Sequence, residues 1–171
     1  MIEGRFLLIS SNKGYEADAF LEAFAVGAER GATMELFGFL GEGRVVARLP
    51  DKDQINDELL LKDLNDRSGK LRYVKKAIGC SLVGRTAELE DACGAMNSIM
   101  RRKAESRSAA VRIEGVGFND PMRMHVISKI MNEVRPVDLR HPRVVAHICI
   151  SRDFFIAGVT DVSPVLGIED C

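Results

Sequence analysis

Arg101, Arg102, Lys103, Arg107, Arg123, Lys129, Arg135, Arg140 and Arg143 crowd one stretch of this 171-residue chain, with Arg112 among them. Side chains of this type in this density neutralise phosphates: each cation placed against a nucleic-acid backbone releases a condensed counterion. Arginine adds a planar fork that matches phosphate oxygens. Arg101, Arg102 and Lys103 also suit the negative end of a helix, so a purely structural role stays open for them. Tyr73 and Phe118 are the only aromatics between positions 70 and 143. Reading of single-stranded bases by stacking is therefore poorly provided for, and recognition of backbone and shape is expected.

Other chemistries find less support. Gly115-Val116-Gly117 lacks the third glycine of a dinucleotide fingerprint, and no Gly-Lys-Ser/Thr phosphate loop occurs. A close turn from strand to helix is the simpler role for it. No serine has a nucleophile-elbow context. His125, His141 and His147 fall in a helix, a turn and a strand, and no acid–base pair assembles around them. Cys80, Cys93, Cys149 and Cys171 form no C-x-x-C pair, which predicts free thiols in a reducing compartment. A zinc site needs clustered ligands, and His141 and His147 have no cysteine pair beside them. Neither a metal nor another cofactor is expected.

The net charge of −1 conceals an asymmetry. Residues 1–69 carry 8 Lys/Arg against 13 Asp/Glu, residues 70–143 carry 15 against 8, and residues 144–171 carry 1 against 4. A basic middle behind an acidic front predicts a directed electrostatic surface. The apolar run Phe6 to Ile9 has strand length, too short for a signal-peptide core, and no run reaches the roughly 18 residues of a membrane helix. The cytoplasm is the expected location, with no membrane partner.

These residues need a frame. Arg5 to Ser10 reads as a strand, and Glu16 to Arg30 as a helix with Ala19, Phe20, Ala23, Phe24 and Gly27 on its buried face. Gly31 stops it. Thr33 to Phe39 and Arg44 to Leu49 pair as a hairpin through Leu40-Gly41-Glu42-Gly43. Asp51 to Leu64 is a charged amphipathic helix with Ile55, Leu59, Leu60 and Leu64 inward. That makes a small βαββα unit over 1–67, with a boundary at Asp66-Arg67-Ser68-Gly69. Leu71 to Leu82 is a strand. Thr86 caps a helix from Ala87 to Lys103, with Leu89, Cys93, Met96 and Met100 as its stripe. Ser108 to Gly115 is a strand. Asp120 caps the next helix, with Pro121 at its first position, and Met122 to Val134 follows with Val126, Ile127, Ile130 and Met131 inward. Val144 to Ile150 and Phe154 to Val159 are strands joined through Ser151-Arg152-Asp153. The second unit spans 70–162, and 163–171 reads as a tail. The fold class is α/β and α+β.

Val137-Asp138-Leu139, with Pro142 three residues on, then a strand, a tight reversal and a strand ending in Gly158-Val159, resembles the closing segment of the THUMP domain. The helix–strand–helix order ahead of it also fits that family, over residues 70–160. The resemblance implies an α/β RNA-binding module behind a small ferredoxin-like unit, the latter compatible with residues 1–67. It implies tRNA as partner, with Arg135, Arg140 and Arg143 as RNA contacts and Asp138, Leu139 and Pro142 as the residues that set the turn. Family members are fused to thiouridylation, methylation or pseudouridylation domains, for which this chain leaves no room. The resemblance therefore implies a non-enzymatic adaptor, of the type that presents tRNA to a separate modification enzyme, a cytidine acetyltransferase.

Two further readings remain beside it. Gly115-Val116-Gly117 with His125 or His147 predicts a small α/β enzyme, if one pocket unites them. The acidic front predicts a docking module for a basic partner. A homo-oligomer is compatible with all three.

Overall fold

The computed structural model describes residues 1–50, 56–105, 107–115 and 119–161. It contains β1 (Ile2–Ser10), α1 (Glu16–Glu29), β2 (Glu35–Gly41), β3 (Arg44–Leu49), α2 (Asp57–Arg67), β4 (Lys76–Arg85), a 3₁₀ turn (Thr86–Glu88), α3 (Leu89–Ala104), β5 (Ala109–Gly115), α4 (Asp120–Ile130), β6 (Val144–Ile150) and β7 (Phe154–Asp161). The fold is mixed α/β. All seven strands join one sheet in the order β2-β3-β1-β4-β7-β6-β5. Among the described residues no helix is long and apolar enough to cross a membrane.

Periodicity explains most of these elements. The α3 stripe Leu89, Ala92, Cys93, Met96, Met100 and Ala104 is buried at helical spacing. On α2, Leu60 and Leu64 are wholly buried, and each contributes about 1.5–3 kcal/mol by leaving water. Leu59, expected inward, is 54% exposed, and Phe24 on α1 is 40% exposed, with Val26 buried in its place. Those two apolar side chains sit just off the buried arc of their helices.

Several boundaries differ from expectation, because other groups claim the backbone there. The strand expected from Leu71 begins at Lys76. The Glu22 carboxylate accepts the N–H groups of Arg72, Tyr73 and Val74 at 2.7, 2.9 and 2.8 Å, so they are not offered to a neighbouring strand. Burial raises the pKa of this carboxyl, and the three N–H donors outweigh it and hold the value below the usual range. Thr86 does not cap a helix. Its N–H donates to Asp153 O at 2.9 Å, tying the 3₁₀ turn to the β6–β7 reversal. The cap of α4 is Asn119, whose side chain accepts from Met122 N at 3.0 Å, so Asp120 and Pro121 stand inside the first turn. That helix closes at Ile130 rather than Val134. For α2 the cap is Asn56, and the expected start at Asp51, with Ile55, lies outside the described residues. The expected tail from Ser163 also lies outside them.

All four helices lie on one side of the sheet. Two cores form there, one under α1 and α2 against β1 and β3, the other under α3 and α4 against β6 and β7. Phe6, Leu8, Val46, Ile78, Cys80, Cys149 and Ile156 pack together on the opposite, helix-free face. Strand β4 joins the halves, pairing with β1 on one side and β7 on the other. Along it, Ile78 and Cys80 face the helix-free side while Leu82 packs under α3, so the alternation slips by one residue between them. The β1–β4 register shifts at the same place, between Glu3 and Phe6.

The sheet bends sharply. Arg44 at the start of β3 reaches Glu114 near the end of β5 at 3.3 Å. Four strands stand between them, and in a flat sheet five steps of about 4.8 Å would hold them roughly 24 Å apart. The helix-free face is therefore concave, and its two wings meet.

Candidate nucleic-acid interface

Strand direction decides where the cations go. β4 is antiparallel to β7, β7 is antiparallel to β6, and β6 is parallel to β5, so β4, β5 and β6 run the same way. The crossovers α3 and α4 must run back against them. The last turn of α3 and the segments entering β5 and β6 therefore share one end of the sheet. That end collects Arg101, Arg102, Lys103, Arg107, Arg135, Arg140 and Arg143. The anions with them are Glu105, Glu133, Asp138 and Asp161.

Backbone bonds hold the loop of residues 135–143 there. Ala109 N donates to Pro136 O at 3.0 Å and Asp138 N to Ala109 O at 3.1 Å, a parallel bridge that adds Val137 to the edge of β5. Arg143 N donates to Ser108 O at 2.8 Å, and Ser108 Oγ donates to His141 O at 3.1 Å. Within the loop, the Asp138 carboxylate accepts Arg140 N at 2.9 Å and His141 N at 3.0 Å. Those two N–H donors, His141 first, hold the carboxyl below its usual pKa. Asp138 and the buried Pro142 set the turn as expected. Leu139 does not: it stands 73% exposed at the loop surface.

The cations differ in availability. Arg101 pairs with Glu133 at 3.1 Å, while Lys103 and Arg107 share Asp161 at 2.8 and 2.7 Å. Burial raises the Asp161 pKa, and the two cations outweigh it and bring the carboxyl below its usual range. Exposed pairs of this kind contribute about 0–1 kcal/mol, so a phosphate can exchange into them. Arg102, Arg135, Arg140 and Arg143 are exposed and form no ion pair with a described residue. Asp161 as the shared counterion and Ser108 as the staple carried no sequence signal, because both meet the cluster only through the fold.

Two expected site residues lie elsewhere. Arg123 is in the first turn of α4, at the opposite end of the crossover, half-buried, with its Nε buried and unpartnered among the described residues. Lys129 pairs with Glu90 at the start of α3, at 3.3 Å.

Of the small-enzyme alternative, the described residues include the two histidines and Gly115. His125 is exposed on α4 and pairs with Glu90 on the helix side. His147 lies on the helix-free face, in a shallow hollow lined by Leu8, Ile78, Arg112, Glu114 and Cys149. The two histidines thus stand on opposite faces of the sheet. Val116 and Gly117 lie outside the described residues. Gly115, at φ 147°, needs its missing side chain, since a Cβ there would come within 2.1 Å of Ile150 O. The close approach of the β6 backbone is what this position needs glycine for. The thiols of Cys80, Cys93 and Cys149 are buried and free, and burial raises all three, Cys93 and Cys149 to about 11. No group of three His, Cys, Asp or Glu able to hold a metal exists among the described residues.

His147 has a measurable consequence. Burial pushes its pKa down to about 4, Lys76 and Arg112 push the same way, and Glu114 opposes them. The folded value lies below the unfolded value of about 6.5, so this term is neutral above that pH and costs stability as pH falls toward 4. Urea unfolding should show roughly 2 kcal/mol of stability lost from pH 7 to pH 5 that is absent in His147→Gln. Equal losses in the two proteins would reject a half-buried imidazole held neutral by the fold.

The protein is a bent α/β sheet with seven cations gathered at one end. Solved structures share this fold. PH1313 from Pyrococcus horikoshii matches with a TM-score of 0.62 at 11% identity, over 93% of this chain and 55% of that one. A 4-thiouridine synthetase, crystallised with RNA and ATP, matches at 0.53 and 15% identity, over 94% and 42%. TrmN from Thermus thermophilus matches at 0.54 and 20% identity, over 91% and 45%. The chain spans about half the length of the solved structures it matches. No protein-family model matches it, and no curated protein does.

Proposed function

We propose that this chain is a THUMP-type tRNA-binding adaptor, which holds tRNA on its basic end and presents it to a separate modification enzyme. One observation carries the reading: seven cations from three chain segments gather at one end of the sheet, where α3 ends, β5 begins and the loop of residues 135–143 is stapled to β5. The fold shared with an RNA-bound 4-thiouridine synthetase supports RNA as the anionic partner. No Phe, Tyr or Trp occurs from Arg101 to Arg107 or from Arg135 to Arg143, so contacts to backbone and shape are what these segments offer. In this reading the chemistry belongs to the partner, a cytidine acetyltransferase, and the work is done in the cytoplasm. The synthetase likeness favours one specific alternative, service to a thiouridylation system.

Filter binding of tRNA across a salt series tests the proposal. Affinity should fall by about 10³-fold or more between 50 and 200 mM salt if six or more phosphates are neutralised. Absence of binding at low salt, or a flat salt response, would remove the basis for it.

A further inference from the structure

The two edges of the sheet are finished differently. β5 carries the Val137 bridge and the loop that follows it. β2 forms the other edge, and among the described residues nothing pairs with its outer side. It is also unusually apolar for an edge: Leu36, Phe37 and Phe39 are 47%, 41% and 53% exposed, and no charge occurs from Leu36 to Gly41. Edge strands normally carry charge or cover against pairing with another chain.

Faces can be assigned. Leu36 stands opposite Ala47 and Phe39 opposite Val45, both residues of the helix-side core. Phe24 adds to that side, one turn before Gly27, which packs against Met34 just ahead of β2. Phe37 turns to the concave face, edge-on to Phe6 at 5.2 Å. Register shifts fall between Leu36 and Gly38 and between Phe39 and Gly41; the first of them is what sets Leu36 and Phe39, three positions apart, on the same face.

We propose that β2 pairs antiparallel with β2 of a second copy of this chain, across a two-fold axis beside Gly38. The strip is self-complementary. Matching helix side to helix side sets Leu36 beside Phe39 of the other copy, and Phe39 beside its Leu36. Cross-strand aromatic and aliphatic pairs of this kind stabilise a sheet. No like charges oppose across the uncharged run, and a chain net charge of −1 adds little repulsion. Phe24, Leu36, Phe37 and Phe39 expose roughly 350 Å² of apolar surface per copy, taking about 200 Å² for a whole large side chain. With two backbone edges added, that approaches the ~1,200 Å² at which stable interfaces begin. The pairing is isologous and closed, joining two sheets into one with both basic ends outward.

Sedimentation equilibrium of the whole chain tests this. Wild type should show a mass twice that of the chain, concentration-dependent. Leu36→Lys and Phe39→Glu, each verified as folded by circular dichroism, should weaken dimerisation tenfold or more. Mixing the two variants should restore a dimer, because each introduced cation then faces an introduced carboxylate while the second Leu36–Phe39 pair stays apolar. A monomeric wild type at all concentrations overturns the proposal. So does failure of the mixture to recover. tRNA binding by the folded variants separates this result from the RNA reading, which does not depend on it.

Discussion

Gly158→Ala will lower the unfolding free energy by about 3 kcal/mol, the upper end of what a forced methyl costs a packed interior. A Cβ at Gly158 would stand 2.5 Å from Gly79 O and 2.6 Å from Cys80 Cα. Both obstacles are backbone and cannot rotate away. They belong to the part of β4 where the alternation slips and the sheet bends, so relief requires moving one wing against the other. For a chain of this size the loss corresponds to roughly 6–12 °C in Tm. Gly94→Ala supplies the contrast. Gly94 is exposed on α3 with nothing within 4 Å of its ideal Cβ, so alanine should stabilise by about 0.5–1 kcal/mol. Urea unfolding of both variants checks the pair. A Gly158→Ala protein within 1 kcal/mol of wild type would mean that the two strands have slack between them, and the tight joint would have to be abandoned.

Arg135, Arg140 and Arg143 changed together to alanine will reduce tRNA affinity by about 100-fold at 100 mM salt and flatten the salt slope by roughly 2–3. These three are exposed, form no ion pair with a described residue, and sit on a loop fixed by four backbone and side-chain bonds to Ser108 and Ala109. Among the described residues no ion pair has to be broken before a phosphate can bind them. Lys103 and Arg107 are held by Asp161, and their removal should cost less for that reason. Arg123→Ala and Lys129→Ala are the discriminating controls. Both residues carry charge comparable to the others, yet the fold puts one at the far end of α4 and the other against Glu90. Either of them should change affinity less than threefold. If the controls weaken binding as much as the triple substitution, the interface lies along α4 and not at the strand starts.

Much of the frame could be read locally. The α3 stripe, the β2–β3 hairpin and the β6–β7 pair follow from periods of 3.6 and 2 with turn residues between them. Where the reading failed, local residue type was not what decided. Leu71 to Val74 looks like strand, but Glu22 takes its N–H groups from 50 residues away. Asp120 is a good cap by type, and its neighbour Asn119 makes the bond. Leu139 looks like turn scaffold because it sits between Asp138 and Pro142, yet burial depends on what lies above a residue, and nothing described covers it.

By itself the sequence determined the charge division, the kinds of element and the cations' chemistry, because these depend on residue type and on neighbours within a few positions. It could not decide which cations act together. Arg101 to Lys103, Arg107 and Arg135 to Arg143 come from three segments, and only parallel β5 and β6 with helices running back between them bring the three to one end. The same topology puts Arg123 at the other end of the crossover, separates His125 from His147 by the thickness of the sheet, and leaves β2 at an edge with nothing paired to its outer side among the described residues. Strand order and direction are set by long-range pairing, and nothing within one segment records which segment it will lie beside.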